Sequence, residues 1–321
     1  MTANQKSLPG LHHVTAITAD AQKNIDFYCG ILGLRLVKLT VNFDDPGSYH
    51  LYYGDELGRP GTCLTFFAWP GATRGRIGPP QVGVTAFSIP SASIDFWAKR
   101  LHDHGLETKP VPDRFGEPVL KLDDPDGMHL ELVASEKPAG LPWAAGPVPA
   151  DRAIRGFHSV TISEEGYERT ARLLTDVMGF TLVGNEQNRY RYRAPATPGS
   201  SESFASSVDL LCVPDARHGS IGAGVVHHVA FRTPTDADQA AWRAEIADLG
   251  YNVSPVMDRV YFHSIYYREP GGVLFEIATE SPGFTVDQPA AELGKKLMLP
   301  PWLEKYRPQI EQAVPPVTLP G

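Results

Sequence analysis

Two histidine pairs, His12-His13 and His227-His228, stand far apart in a 321-residue chain, and Glu276 follows the second pair. Two imidazoles and one carboxylate can hold a divalent ion from one side and leave three octahedral positions open. Such donors suit Fe(II), with Mn(II) also compatible, better than a thiolate site would. A histidine on a strand is more often a hydrogen-bonded core residue than a ligand, and with 11 histidines in the chain chance pairs will occur. What lifts His13, His228 and Glu276 above that background is where they recur.

The chain repeats itself. Trp97 matches Trp242, Gly105 matches Gly250 and Glu131 matches Glu276, each at an offset of 145 residues. Gly10 and Gly33 match Gly156 and Gly179 at an offset of 146. Four related units therefore start near residues 10, 82, 155 and 225. Each opens with a β-branched run and continues with a helical stretch. In the first, Ile25, Tyr28, Cys29 and Leu32 fall on one helical face. Gly33, Gly105, Gly179 and Gly250 stand where each helix should stop. Three strand-like runs complete each unit, and Pro125-Asp126-Gly127 and Pro270-Gly271-Gly272 mark turns before the last strand.

The repeat supplies an internal control. The equivalent first-strand position holds His13, Val84, Ser159 and His228. The equivalent last-strand slot holds Glu131 and Glu276 in units two and four, and Thr65 and Leu211 in units one and three. His13, His228 and Glu276 can converge only if unit one faces unit four. Units two and three then combine Val84, Ser159 and Glu131, which cannot make a triad, so one metal per chain is expected. Glu131 reads as a structural or vestigial carboxylate. Thr15 lies two residues past His13 on the same strand face, Tyr266 alternates in phase with Ser264 and Phe262, and Arg259 starts that strand. Strict alternation turns His12 and His227 away from the ligand face, unless a bulge returns them.

Composition narrows the class of function. The formal net charge is −8 with no basic cluster, which disfavours nucleic acid as a partner. The start of the chain lacks a basic segment leading into an apolar one, so no signal peptide is expected. The longest uncharged stretch, Ile77 to Ile94, is broken by Gly and Pro, so no membrane span is expected. Three widely spaced cysteines indicate neither a disulfide framework nor a Cys-based zinc site, and a cytoplasmic location is expected. The expected organisation is an N-terminal pair of units over 1–136, a Pro/Gly-rich linker over 137–154, a second pair over 155–280 and a tail over 281–321. Leu303, Tyr306 and Ile310 are expected to dock that tail.

Four βαβββ units resemble the vicinal oxygen chelate superfamily (the glyoxalase, bleomycin resistance protein and dioxygenase fold). That resemblance implies an α+β protein with two half-open, barrel-like sheets. The motifs LHHVTAIT, YHLYYGDELGRPGT, NRYRYR, GVVHHVAF, RVYF and YREPGGVLFE look like the hydroquinone-cleaving branch of the extradiol ring-cleavage dioxygenases. The likeness covers nearly the whole chain, tail included. It implies Fe(II) at His13, His228 and Glu276, and supporting catalytic residues at His12, Thr15, His227, Arg259 and Tyr266. Its implied partners are O₂ and a small aromatic substrate, most simply a substituted hydroquinone cleaved beside the metal-bound hydroxyl. A homo-oligomer is compatible with it. Two alternatives stay open: a glyoxalase-type isomerase or lyase, whose second carboxylate would have to stand at Thr65, and a non-enzymatic sequestering protein of the same fold.

Overall fold

The computed structural model describes residues 7–136, 140–195 and 206–320. Unit one supplies β1 (Leu11–Thr18), β2 (Arg35–Asn42), β3 (Asp45–Gly54) and β4 (Cys63–Ala68). Unit two supplies β5 (Gln81–Pro90), β6 (Lys109–Arg114), β7 (Glu117–Asp123) and β8 (His129–Ser135). Unit three supplies β9 (Phe157–Glu164), β10 (Thr181–Glu186), β11 (Arg189–Arg193) and β12 (Ser207–Cys212). Unit four supplies β13 (Val226–Thr233), β14 (Met257–Asp258), β15 (Phe262–Arg268) and β16 (Leu274–Pro282). The expected linker residues 137–139, and the chain ends 1–6 and 321, lie outside the described residues.

These strands form two eight-stranded sheets. One runs β14-β15-β16-β13-β1-β4-β3-β2 and joins unit four to unit one; the other runs β10-β11-β12-β9-β5-β8-β7-β6 and joins unit three to unit two. Each sheet is thus built from the two halves of the chain. Its centre is an antiparallel pair of first strands, β1 with β13 or β5 with β9. Each first strand also pairs in parallel with the last strand of its own unit.

A helix follows each first strand: α1 (Ala21–Ile25), α2 (Ile94–Asp103), α3 (Glu168–Arg172) and α4 (Asp236–Asp248). The helices of units one and three widen into π-helical turns over Asp26–Ile31 and Leu173–Val177. Ile25, Tyr28, Cys29 and Leu32 are all buried, as their spacing predicts. Gly33, Gly105, Gly179 and Gly250 end the four helical segments at φ of +70°, +74°, +79° and +88°, where a Cβ would be strained. The helices and the outer sheet faces share one apolar core that includes Trp97, Trp242, Phe87 and Phe231. β1 is buried along its whole length, so its sequence shows no two-residue alternation of polarity.

The linker is packed rather than free. Val148 is buried against Gly33, and the Arg152 carbonyl accepts the indole N–H of Trp97 at 2.8 Å. The tail carries a fifth helix, α5 (Arg307–Ala313). Ile310 is buried and Leu303 packs on the core, but Tyr306 is largely exposed, so it does not dock the tail. Phe284, Leu293, Leu299 and Val314 take that role. Lys38 on β2 is fully buried, and its ammonium meets Asp287 at 2.5 Å and Gln288 at 2.6 Å, pinning the tail to the first sheet. No helix among the described residues is long and apolar enough to cross a membrane.

One buried pair gives stability a pH dependence. Glu164, at the end of β9, lies against Gly271 beside Glu269. Glu269 collects donors from Thr170, Gly271 and Val273, and the buried Glu164 carboxyl lies beside it. Burial first, and then the Glu269 charge, pushes the Glu164 carboxyl up to about 8. The folded protein therefore keeps a proton that the unfolded chain releases at the ordinary carboxylate pKa. That linkage makes stability fall as pH rises from about 4.5 to about 8 and level off above. Glu164→Gln should flatten this part of the profile and stand above the parent at pH 8–9. Denaturant midpoints measured across that range test it, and parallel profiles for the two proteins would show that Glu164 carries no proton.

Candidate metal centre

His13 on β1, His228 on β13 and Glu276 on β16 are buried, and their donor atoms cluster. His13 Nε2 is 3.3 Å from His228 Nε2 and 3.3 Å from Glu276 Oε2, and His228 Nε2 is 2.9 Å from Glu276 Oε2. Three donors holding an ion at ~2.1 Å and at right angles stand about 3.0 Å apart, so the triangle has the dimensions of a facial ligand set. Glu276 Oε2 is buried and faces the two imidazole nitrogens, while Oε1 is held by the Ser264 hydroxyl. Burial opposes charge on Glu276, but the two imidazoles outweigh it and hold its carboxyl well below the usual range.

The flanking histidines orient the ligands. His12 Nε2 donates to the Thr279 carbonyl at 3.1 Å, so its Nδ1 accepts from His13 Nδ1 at 2.9 Å. That chain leaves the lone pair of His13 Nε2 aimed into the cluster. His227 Nδ1 stands 2.8 Å from His228 Nδ1 in the equivalent arrangement. Burial, then the neighbouring ligand histidine, lowers His12 and His227 to about 3. Both are therefore neutral at pH 7.

Two bulges resolve the conflict with strand alternation. Along β1, Leu11 pairs with Phe231 and His13 with Ala230, so His12 is an extra residue. Along β13, His228 pairs with Thr15 and Val226 with Ala16, so His227 is extra. The extra residue lets two consecutive side chains approach one face. The second sheet repeats both bulges, with Gly83 and His158 in the extra places.

The pocket beside the cluster is about 340 Å³, more than twice the ~150 Å³ cavity that accepts benzene. His13, His227, His228, Arg259 and Tyr266 line it, with Phe67, Trp69, Phe262 and Leu274 as apolar walls. The Tyr266 ring lies 5.8 Å from that of His228, and Arg259 Nε donates to the Tyr266 hydroxyl oxygen at 3.2 Å. Burial raises the Tyr266 phenol, so it stays protonated and can donate into the pocket. Arg259 does not start a strand: it sits in the turn after β14, and the next residue, Val260, holds φ at +68°. That strain in a β-branched residue marks a turn held by its surroundings. His12 and Thr15 do not line the pocket. Thr15 is fully buried and bonds Thr65 at 2.8 Å.

Sequence reasoning missed His50, whose Nε2 bonds Thr65 at 3.0 Å and whose Nδ1 meets the Tyr52 hydroxyl at 2.8 Å. It also misplaced one slot. The residue of unit three equivalent to Glu276 is Asp209, paired with Thr161, not Leu211. In that second sheet the carboxylates are already neutralised. Glu131 is paired with Arg114, and Asp209 takes Arg191 in a two-bonded contact at 2.8 and 3.0 Å, with Arg189 at 3.0 Å. No cluster that could hold a metal forms there among the described residues.

The chain matches the family model described as "Glyoxalase/Bleomycin resistance protein/Dioxygenase superfamily" over residues 10–132 and 156–277. It is 48% identical over 311 residues, 97% of each chain, to the "Putative ring-cleaving dioxygenase MhqO" of Bacillus subtilis. It is 35% identical over 308 residues, 94% of each chain, to the "Chlorohydroquinone/hydroquinone 1,2-dioxygenase" of Sphingobium indicum. A solved Bacillus subtilis "putative dioxygenase" superposes with a TM-score of 0.92 at 47% identity, covering 98% of both chains. Glyoxalase I of Zea mays superposes at 0.62 with 14% identity over 84% of this chain and 92% of its own, a likeness of fold alone. The chain belongs to the glyoxalase/bleomycin resistance protein/dioxygenase superfamily.

Proposed function

We propose, from that membership and from the site, that the protein is a ring-cleaving dioxygenase of extradiol type. It would act on substituted hydroquinones with Fe(II), or Mn(II), at His13, His228 and Glu276. The observation that carries this reading is the three-donor triangle opening into an aromatic-walled pocket that also holds Arg259 and Tyr266. When bound, the ion supplies open coordination positions and the electron-transfer route that O₂ needs to react with a closed-shell ring.

The chain's own groups do the rest. Glu276 and the two imidazoles leave one side of the triangle for substrate oxygen. A hydroquinone can offer only one oxygen there, so its far hydroxyl needs protein partners. Tyr266, oriented by Arg259 Nε, donates to that oxygen and holds it as the ring loses its proton. His227 is neutral and lines the same pocket, and with its Nδ1 turned to His228 it presents its other ring N–H as a hydrogen-bond donor. Phe67, Trp69, Phe262 and Leu274 exclude water from the ring faces. A glyoxalase-type reaction is the weaker reading, because Thr65 fills the slot of the second carboxylate and is tied to Thr15 and His50.

Anaerobic loading with Fe(II), followed by O₂ uptake against hydroquinones and catechols, tests the proposal. Para-hydroquinones should be turned over, while catechols, which can chelate through both oxygens, should be poor substrates or inhibitors. Faster uptake with plain catechol than with every hydroquinone would assign the chain to catechol cleavage instead.

A further inference from the structure

At the pocket, Arg259, which orients Tyr266, is also paired with a carboxylate that the proposed reaction does not use. Arg259 is mostly buried, and its Nη1 lies 3.0 Å from Asp44, which is 65% exposed. Asp44 sits in the turn between β2 and β3, where its N–H bonds Asn42 Oδ1 at 3.0 Å. Asn42, Phe43 and Asp44 all line the pocket. The turn is braced from outside as well: Trp302 of the tail meets the Phe43 ring edge-on at 5.7 Å. The guanidinium is held in place by the Tyr266 contact and by the strained turn at Val260. Arg259 is the one Lys or Arg among the described lining residues.

We propose that Asp44 is a specificity-determining residue. By neutralising the pocket's cation, it favours rings with uncharged substituents and rejects rings that carry a carboxylate. A carboxylated ring would lose its hydration on entry and find the only guanidinium already paired. It would also meet a like charge at the mouth, and discrimination of this kind rests on the repulsive group as much as on the attractive one. An uncharged substituent loses little water and packs on Phe43, Phe67 or Trp69. This inference rests on the ring-cleavage reading for its substrate class, but its physical content, charge selection by Asp44, can be measured without turnover.

The test compares the parent with Asp44→Asn and Asp44→Glu. Calorimetric binding of para-cresol and para-hydroxybenzoate to the metal-free proteins reads charge selection directly. In the parent, para-cresol should bind more tightly than para-hydroxybenzoate. Asp44→Asn should strengthen para-hydroxybenzoate about tenfold and change para-cresol by less than about twofold. Asp44→Glu should restore the parent's preference, which a merely structural role for the turn would not produce. In the Fe(II)-loaded proteins, kcat/KM for gentisate relative to methylhydroquinone should rise in Asp44→Asn by a similar factor. Equal shifts for both ligands, no gain for the carboxylate, or an Asp44→Glu protein that behaves like Asp44→Asn would overturn the proposal. If methylhydroquinone is not turned over by the parent, the ring-cleavage reading fails, while the binding ratios still decide the role of Asp44.

Discussion

Glu276→Gln should abolish tight metal binding, whereas Glu131→Gln should leave the metal content unchanged. The two glutamates occupy equivalent positions on β16 and β8, paired with Ala230 and Ala86. Both are buried, so burial alone predicts equal effects. Their partners differ. Glu276 Oε2 faces His13 Nε2 and His228 Nε2, while Glu131 faces Arg114. An amide at 276 removes the site's only anionic donor and leaves two imidazoles to hold the ion. Loss of a group that merely orients a ligand costs ~10–100-fold in affinity, and loss of a ligand should cost at least that much. An amide at 131 instead strands Arg114, a cost in stability rather than in metal. Metal analysis after dialysis against a weak chelator, with thermal melts on the same samples, separates the two effects. Equal metal loss in both variants would contradict the asymmetry between the sheets.

If the protein cleaves hydroquinones as proposed, Tyr266→Phe should lower kcat by about a hundredfold while metal content stays at the parental level. The hydroxyl is pinned by Arg259 Nε at 3.2 Å and kept protonated by burial, so it is a fixed donor rather than a wandering one. Its loss would take away the proposed partner of the far substrate oxygen and leave the apolar walls intact. KM should therefore move less than kcat. Retained turnover, or loss of metal together with activity, would mean that Tyr266 acts elsewhere.

The fourfold repeat, the glycines that end the helices and the asymmetry between His13, His228, Glu276 and their counterparts were legible in the sequence. Each is either a local backbone requirement or a comparison between copies of one unit, and neither needs the chain to be folded. Once the ligand set is accepted, even the pairing of unit one with unit four follows from it. Tertiary structure decided the rest. Whether His12 and His227 reach the ligands depends on bulges, and a bulge exists only between two paired strands: β1 and β13 acquire theirs from each other, 215 residues apart at the ligands. Asp209 could not be counted into its slot, because residues of variable number separate β11 from β12 and only the pairing with β9 sets the register. His50 stands in the motif YHLYYGDELGRPGT, which by itself assigns it no role, and Asp44 stands in no motif; the fold brings β3 and its preceding turn to the pocket wall. Residue types and their recurrence are properties of one strand at a time, whereas register, bulges and the composition of a pocket wall are properties of pairs of strands, settled only when distant segments share hydrogen bonds.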